Sequence, residues 1–217
     1  MPDENKTMTA PKPGIEVIYA GGTISSLATP DGYREGGHVV DLIGQLEEHA
    51  PGFKDKITLG EAQVAYTGLS ENLDKECLAQ IDQKASAALD RSPHAALVTH
   101  GTDSMEQTAR DLQKNFIDRL VAQAAKIIIT GANEDLSEEN TDAWDNLAFA
   151  FESAYGDAEP GVYVAFHRRL IPADKVVKEP FNGREMNYTS VDDPTYIEAL
   201  AQQKNTLPKL LNDLKQL

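Results

Sequence analysis

The stretch "LVTHGTDSMEQTA", residues 97–109, joins an apolar run to a helical pattern through a single glycine. Leu97 to Thr99 read as the end of a buried strand, Gly101 permits a tight turn, and a helix is expected to start near Thr102 or Asp103. The apolar positions that follow, Met105, Ala109, Leu112, Phe116 and Leu120, recur at three- and four-residue spacing. The same alternation of strand and helix repeats on both sides of this stretch. Candidate strands are Ile15 to Ala20, Gln63 to Tyr66, Ala95 to Thr99, Lys126 to Thr130 and Gly161 to Phe166, several of them apolar on both faces as in a covered parallel sheet. Helical periods lie between them: Leu73, Cys77, Ile81, Ala85 and Leu89, then Trp144, Leu147, Phe151 and Tyr155, closed by Gly156. The order predicts an α/β fold, a three-layer, doubly wound, mostly parallel sheet with helices on both faces and right-handed crossovers.

In such a sheet the turns after the strands share one rim, where ligands bind. Ala-Gly-Gly-Thr follows the first strand, Thr-Gly-Leu-Ser the second, His-Gly-Thr-Asp the third and Thr-Gly-Ala-Asn the fourth. Each combines glycine with hydroxyl or amide groups, so one cleft can be lined from several loops. Gly21 and Gly22 let the backbone turn at positive φ and let another segment approach closely, which leaves Thr23 at the end of the first strand. Thr102 and Asp103, at a helix amino terminus on that rim, suit an anionic or polar ligand. Taken singly, each residue has a plainer reading. Asp103 with Glu106 forms a capping pair, Ser70 caps a helix starting near Leu73, and Tyr33 is a loop aromatic in an Asp-Gly-Tyr turn. Lys178 is a solvated lysine, and His100 is a satisfied structural histidine.

Composition narrows the partners. The 217 residues carry a net charge of −15 with a pI near 4.7, so phosphate would repel the protein, and nucleic acid and anionic lipid are excluded as electrostatic partners. Cys77 stands alone, which rules out an internal disulfide and a cysteine metal cluster. No His/Cys/Asp cluster has metal-ligand spacing, and no metal or organic cofactor is expected. The start, "MPDENKTMTAPKPG", has no apolar h-region, and no stretch approaches the roughly 18 apolar residues of a membrane span. The expectation is a cytoplasmic protein with a disordered arm over residues 1–14, one α/β domain over 15–194, and an amphipathic helical tail over 195–217 broken near Pro208.

Together the motifs resemble the bacterial-type L-asparaginases, which use a threonine nucleophile, and their archaeal amidotransferase relatives. The first signature, a strand followed by Gly-Gly-Thr-Ile, is matched by Gly21 to Ile24. The second, His-Gly-Thr-Asp-(Ser/Thr)-Met-x-x-Thr-Ala, is matched by His100 to Ala109 without a mismatch. "PDGYREGGHV", residues 30–39, resembles the family's lid, and "GLSENL", residues 68–73, the segment that holds the substrate's α-carboxylate and α-amino groups. "TGANEDLSEENTDAWDNL", residues 130–147, resembles the family's next segment but lacks the arginine common after Gly-Ala. "GVYVAFHRRLIPADKVVK", residues 161–178, aligns with the strand and hairpin that deliver a lysine.

The resemblance implies hydrolysis of the L-asparagine side-chain amide, with catalytic residues Thr23, Tyr33, Thr102, Asp103 and Lys178. It implies substrate contacts at Gly22, Ser70, Glu71, Thr102 and Asp103. Thr23 would attack the carbonyl, Tyr33 would close over it, and a partly neutral Lys178 would accept a proton from Thr102 while Asp103 orients it. The sequence leaves open which threonine attacks first. Glu71 stands where the family often has glutamine and adds a second anion for an ammonium group. Most relatives carry a further, smaller α/β domain after the matched region, whereas this chain runs to Leu217. The expectation is a homodimer acting on a small amino-acid amide. Another amide such as glutamine, or a catalytically weak amino-acid-binding role, are the alternatives, since a fold alone does not fix function.

Overall fold

The computed structural model describes residues 14–28, 34–35, 42–52, 58–60, 62–91, 94–179 and 187–198, with residues 27–28, 34–35, 42–43 and 71 described in backbone only. The amino-terminal arm before residue 14, Tyr33 and most of the expected tail lie outside the described residues; residues 194–198 are helical.

Among the described residues, eleven strands are interspersed with the helices α1 to α4. The long elements are β1 (Gly14–Ala20), α1 (Leu42–His49), α2 (Lys75–Arg91), β6 (Ala95–His100), α3 (Met105–Gln123), β7 (Lys126–Thr130), α4 (Ala143–Tyr155) and β8 (Gly161–Phe166). Shorter strands are β2 (Leu27–Ala28), β3 (Arg34–Glu35), β4 (Thr58–Leu59), β5 (Gln63–Tyr66), β9 (Arg169–Pro172), β10 (Val176–Lys178) and β11 (Tyr188–Ser190). The main sheet runs β4-β1-β6-β7-β8-β9, with β5 pairing β1 beyond the end of β4. All pairings are parallel except β8 with β9. β2–β3 and β10–β11 form two separate antiparallel ribbons.

Period-two alternation sorts the core into two layers. Ile18, Ala20, Val98, Ile127 and Ile129 face α2 and α3, whereas Val17, Tyr19, Leu97 and Ile128 face α1 and α4. β6 and β7 are buried along their whole length. Burying each Ile, Leu or Phe stabilises by about 1.5–3 kcal/mol before entropy is counted, and these side chains clamp the sheet from both sides. The expected three-layer α/β fold is the one observed.

Its crossovers are not all of one hand. From β1 the chain steps to β5 through α1, then back across β1 to β6 through α2 on the opposite face. It continues in the same direction to β7 through α3 and to β8 through α4, yet α3 and α4 cover opposite faces. The first three crossovers therefore share one hand and β7–α4–β8 has the other. Because parallel crossovers are right-handed in about 98% of cases, the majority hand is right and the fourth crossover is left-handed, which corrects the uniform expectation. A loop of residues 131–142 precedes α4, and Asp142 at its end accepts hydrogen bonds from the backbone N–H groups of Asn133 (2.9 Å) and Glu134 (3.1 Å). Asn146 donates to the Gly131 carbonyl at 3.0 Å and accepts the His167 N–H at 2.8 Å. These bonds pin both ends of the long connection to the sheet rim and hold α4 on its face.

Far from that rim, Glu16 sits in the break between β4 and β5 and is only 2% exposed. Arg91 donates to it from Nε at 2.7 Å and from Nη2 at 2.6 Å, and Gln63 donates at 2.8 Å. The buried carboxylate is thus paired and hydrogen-bonded, as burial of a charge requires.

Candidate active site

Among the parallel strands the order β5-β1-β6-β7-β8 reverses direction between β1 and β6. The crevice outside the carboxyl ends of those two strands is where doubly wound sheets bind ligands. Here it is built on glycines. Gly21 has φ 69° and Gly22 has φ 83°. A Cβ on Gly22 would lie 2.3 Å from the Cα and N of Gly101, and one on Gly21 would lie 2.1 Å from the Gly68 carbonyl oxygen. Gly22 N–H donates to that same carbonyl at 3.1 Å. A Cβ on Gly101 would in turn come within 2.4 Å of the Ser70 hydroxyl. Three rim turns, after β1, β5 and β6, therefore touch backbone to backbone, and only glycine permits it.

Thr23 leaves this seam as the first residue of a 3-10 turn, Thr23–Ser25, and is half-buried. The Gly22 carbonyl accepts the hydroxyls of Ser25 and Ser26 at 3.2 and 3.0 Å, which fixes the backbone on which Thr23 sits. Ser70 opens a second 3-10 turn, Ser70–Asn72, which also carries the backbone of Glu71. Ser70 does not cap a helix. α2 starts five residues later, and Asp74 performs that role by accepting the Cys77 N–H at 2.8 Å. Instead the Ser70 hydroxyl accepts the Asp103 N–H at 3.1 Å while its carbonyl accepts the Ser104 hydroxyl at 2.9 Å.

The turn after β6 holds residues 102–104, and α3 begins at Met105 rather than at Thr102 or Asp103. Asp103 and Glu106 are not a capping pair: no side chain caps α3. The Asp103 carboxylate accepts the Lys178 Nζ at 3.0 Å, with Lys178 24% and Asp103 49% exposed, so the lysine is ion-paired and partly shielded rather than freely solvated. Tyr188, fully buried on the same hairpin, donates its hydroxyl to the Thr102 carbonyl and lies edge-on to Phe166. Burial raises its phenol above the usual range, so it remains a donor.

His100 is structural, as its plainer reading held. It is completely buried, its Nδ1–H donates to the Gly101 carbonyl at 2.7 Å, and its Nε2 accepts the Thr108 hydroxyl at 3.0 Å. Burial drives its pKa down to about 4, so the ring is neutral and holds a fixed tautomer beneath the turn.

The structure thus gathers Gly22, Ser70, Thr102, Asp103 and Lys178 in one contiguous assembly beside Thr23. Tyr33 and the side chain of Glu71 lie outside the described residues. Sequence reasoning missed the roles of Ser104, Glu106 and Tyr188, which bond Ser70, Lys178 and Thr102, and of Arg110, which bonds Glu106 and the Val176 carbonyl. Ser104, Glu106 and Arg110 carried a signal in their close spacing, whereas Tyr188 meets Thr102 across 86 residues and carried none. Among the described residues no group of three His, Cys, Asp or Glu side chains could hold a metal ion, and no helix is long and apolar enough to cross a membrane.

An open α/β sheet with a hydroxyl, carboxylate and lysine assembled at its switch point defines a class of small-molecule site on a doubly wound scaffold. Comparison with known proteins narrows it. A sequence model of the family described as Asparaginase, N-terminal matches residues 14–206, and the chain belongs to the asparaginase family. It is 31% identical over 185 residues to L-asparaginase 2-3 of Saccharomyces cerevisiae, covering 83% of this chain and 47% of that protein. The thermostable L-asparaginase from Thermococcus kodakarensis superposes with a TM-score of 0.67 at 26% identity, over 83% of this chain and 52% of that one. A probable cytoplasmic L-asparaginase from Campylobacter jejuni shares the fold, with a TM-score of 0.67 at 24% identity over 83% and 54% of the two chains. The chain spans about half the length of the curated relatives it matches.

Proposed function

We propose that the chain hydrolyses the side-chain amide of L-asparagine to L-aspartate and ammonia, with Thr23 as the nucleophile. The observation that carries this reading is the Gly22–Gly101 contact. It sets the turn bearing Thr23 against the turn bearing Thr102 and Asp103, whose carboxylate holds Lys178 at 3.0 Å. The family supports an amide substrate.

In this scheme the Thr23 oxygen bonds the amide carbon and loses its proton, and backbone N–H donors of the rim turns stabilise the oxyanion. Collapse breaks the carbon–nitrogen bond, and the leaving nitrogen departs as ammonia with the proton it gains. Water then attacks the resulting ester, which releases the carboxylic acid product and returns a proton to Thr23. Lys178 and Thr102 handle protons on the facing turn, with Asp103 orienting the lysine. Asp103 and Glu71 are anions suited to the substrate's α-ammonium, and the Ser70 hydroxyl is a donor suited to its α-carboxylate. Tyr33 closes over Thr23 in this reading.

Ammonia release from L-asparagine, with L-glutamine alongside, tests the proposal. The wild type should release ammonia, and Thr23→Ala and Thr102→Ala should each lose several powers of ten in turnover while still binding L-aspartate in calorimetry. Variants as active as wild type would refute the threonine mechanism, and saturable binding without hydrolysis would make the chain an amino-acid-binding relative. We further infer a cytoplasmic homodimer assembled through residues 195–217. A monomer in sedimentation at micromolar concentration, or fractionation outside the cytoplasm, would contradict that inference.

A further inference from the structure

The lysine hairpin is docked onto α3 through its backbone. In the β10–β11 ribbon the pair Val177 and Thr189 face each other, the Glu179 N–H donates to the Asn187 carbonyl, and the Val191 N–H donates to the Lys175 carbonyl. Val177 and the flanking Lys175 and Glu179 therefore turn their backbone groups toward β11. In an antiparallel pair the alternate residues point theirs outward, so the Val176 carbonyl and the Lys178 N–H lie on the open edge of the ribbon. Such edge groups need partners when they are sheltered from water.

α3 supplies both. Arg110 donates to the Val176 carbonyl at 2.7 Å, and the Glu106 carboxylate accepts the Lys178 N–H at 2.7 Å. The two side chains are ion-paired with each other at 2.5 Å across one helical turn. Together they take the place of a neighbouring strand, one acceptor and one donor matched to an N–H and a carbonyl two residues apart. Asp103, Glu106 and Arg110 occupy positions i, i+3 and i+7 along the chain, and all three bond the hairpin. The residue whose backbone Glu106 holds is the one whose side chain reaches Asp103.

We propose that Glu106, braced by Arg110, is the positioning residue for Lys178: it fixes the lysine backbone so that Nζ is delivered to Asp103. The consequence for catalysis rests on the amidohydrolase reading above. The side chain need not touch substrate; it acts on the reach of another. Misplacement of a reacting group by about 1 Å costs roughly a hundredfold in rate, so the effect belongs in kcat rather than in KM.

The test has two readouts on the full chain, with wild type, Glu106→Gln, Glu106→Ala and Arg110→Met. The first is trace acetylation by acetic anhydride, quantified at Lys178 by peptide mass spectrometry relative to exposed Lys114. Glu106→Ala should raise Lys178 labelling at least about threefold as Nζ leaves Asp103, and Glu106→Gln, which keeps an acceptor for the Lys178 N–H, should restore most of the protection. The second is asparagine hydrolysis, in which Glu106→Ala should lower kcat by about ten- to a hundredfold with KM within about threefold. Unchanged Lys178 labelling in folded Glu106→Ala, or a Gln variant no better than Ala, overturns the proposal. Should Glu106→Ala not fold, Arg110→Met, which leaves Glu106 in place but removes both its ion pair and the hydrogen bond to the Val176 carbonyl, must still show increased Lys178 labelling. If the wild type hydrolyses neither asparagine nor glutamine, the proposed function falls, and the labelling contrast alone decides whether Glu106 positions Lys178.

Discussion

Replacing Gly22 by alanine probes the seam on which the site depends, and Gly52 supplies the control. Gly22 has φ 83° and ψ 176°, a region essentially confined to glycine, so a side chain there costs about 1–3 kcal/mol in backbone strain. The added methyl would also lie 2.3 Å from two backbone atoms of Gly101 and 2.8 Å from the His100 carbonyl carbon. None of these can rotate away, and overpacking of this kind costs about another 1–3 kcal/mol. Gly52 has the same φ of 83° but no atom within 4 Å of its notional Cβ, so Gly52→Ala should show only the backbone term, about 1–2 kcal/mol. Equilibrium urea unfolding at neutral pH should therefore place Gly22→Ala about 2–6 kcal/mol below wild type, a large share of the roughly 5–15 kcal/mol of a typical domain. Because relief of the clash must push the turns after β1 and β6 apart, turnover should fall in any Gly22→Ala protein that remains folded, while Gly52→Ala keeps it. A Gly22→Ala protein no less stable than Gly52→Ala would refute the claim that the two turns meet backbone to backbone.

Two titrations should appear in separate pH windows. The His100 pKa is lowered to about 4 from an ordinary 6.5, so between those values the unfolded chain binds the proton and acid favours unfolding. At 1.36 kcal/mol per unit the gap amounts to about 3 kcal/mol of stability lost as pH falls from 6.5 to 4, and urea unfolding of His100→Asn should lack that slope; equal slopes would refute the assignment. For Asp142, burial opposes the charged form, but the hydrogen bond to His167 and the N–H groups of Glu134 and Asn133 outweigh it and hold the carboxyl below its ordinary value. Its contribution is present above the ordinary carboxylate pKa and lost as pH falls through the lowered one. Asp142→Asn should thus be less stable than wild type at pH 7, by about 1–3 kcal/mol, with the gap closing below about pH 4; a gap that persists there would contradict the assignment.

What was legible in the sequence follows from how local each cause is. Within β7, Ile127 to Ile129 are apolar without alternation because both faces of the strand are covered, and that reads directly as a buried strand. The hand of the β7–α4–β8 crossover was not legible. The stripe of Leu147 and Phe151 says that α4 is amphipathic but is silent on which side of the sheet receives it. The glycines of the rim turns announced a close approach, and Gly22 against Gly101 is that approach. Local capping rules misjudged Asp103, Glu106 and Ser70 for one reason: tertiary partners outbid the helix terminus. Asp103 and Glu106 turn to Lys178, and Ser70 turns to Asp103 and Ser104. Tyr188 was invisible because its partner lies 86 residues away and no period links them.

Thr23 as the nucleophile of the proposed amide hydrolysis is tested by rapid-quench mass spectrometry. Wild-type protein mixed with excess L-asparagine, quenched in acid and digested, should yield an acyl adduct on the peptide containing Thr23, absent from Thr23→Ala. An adduct on Thr102 instead, or ammonia release that continues unchanged in Thr23→Ala, would contradict it.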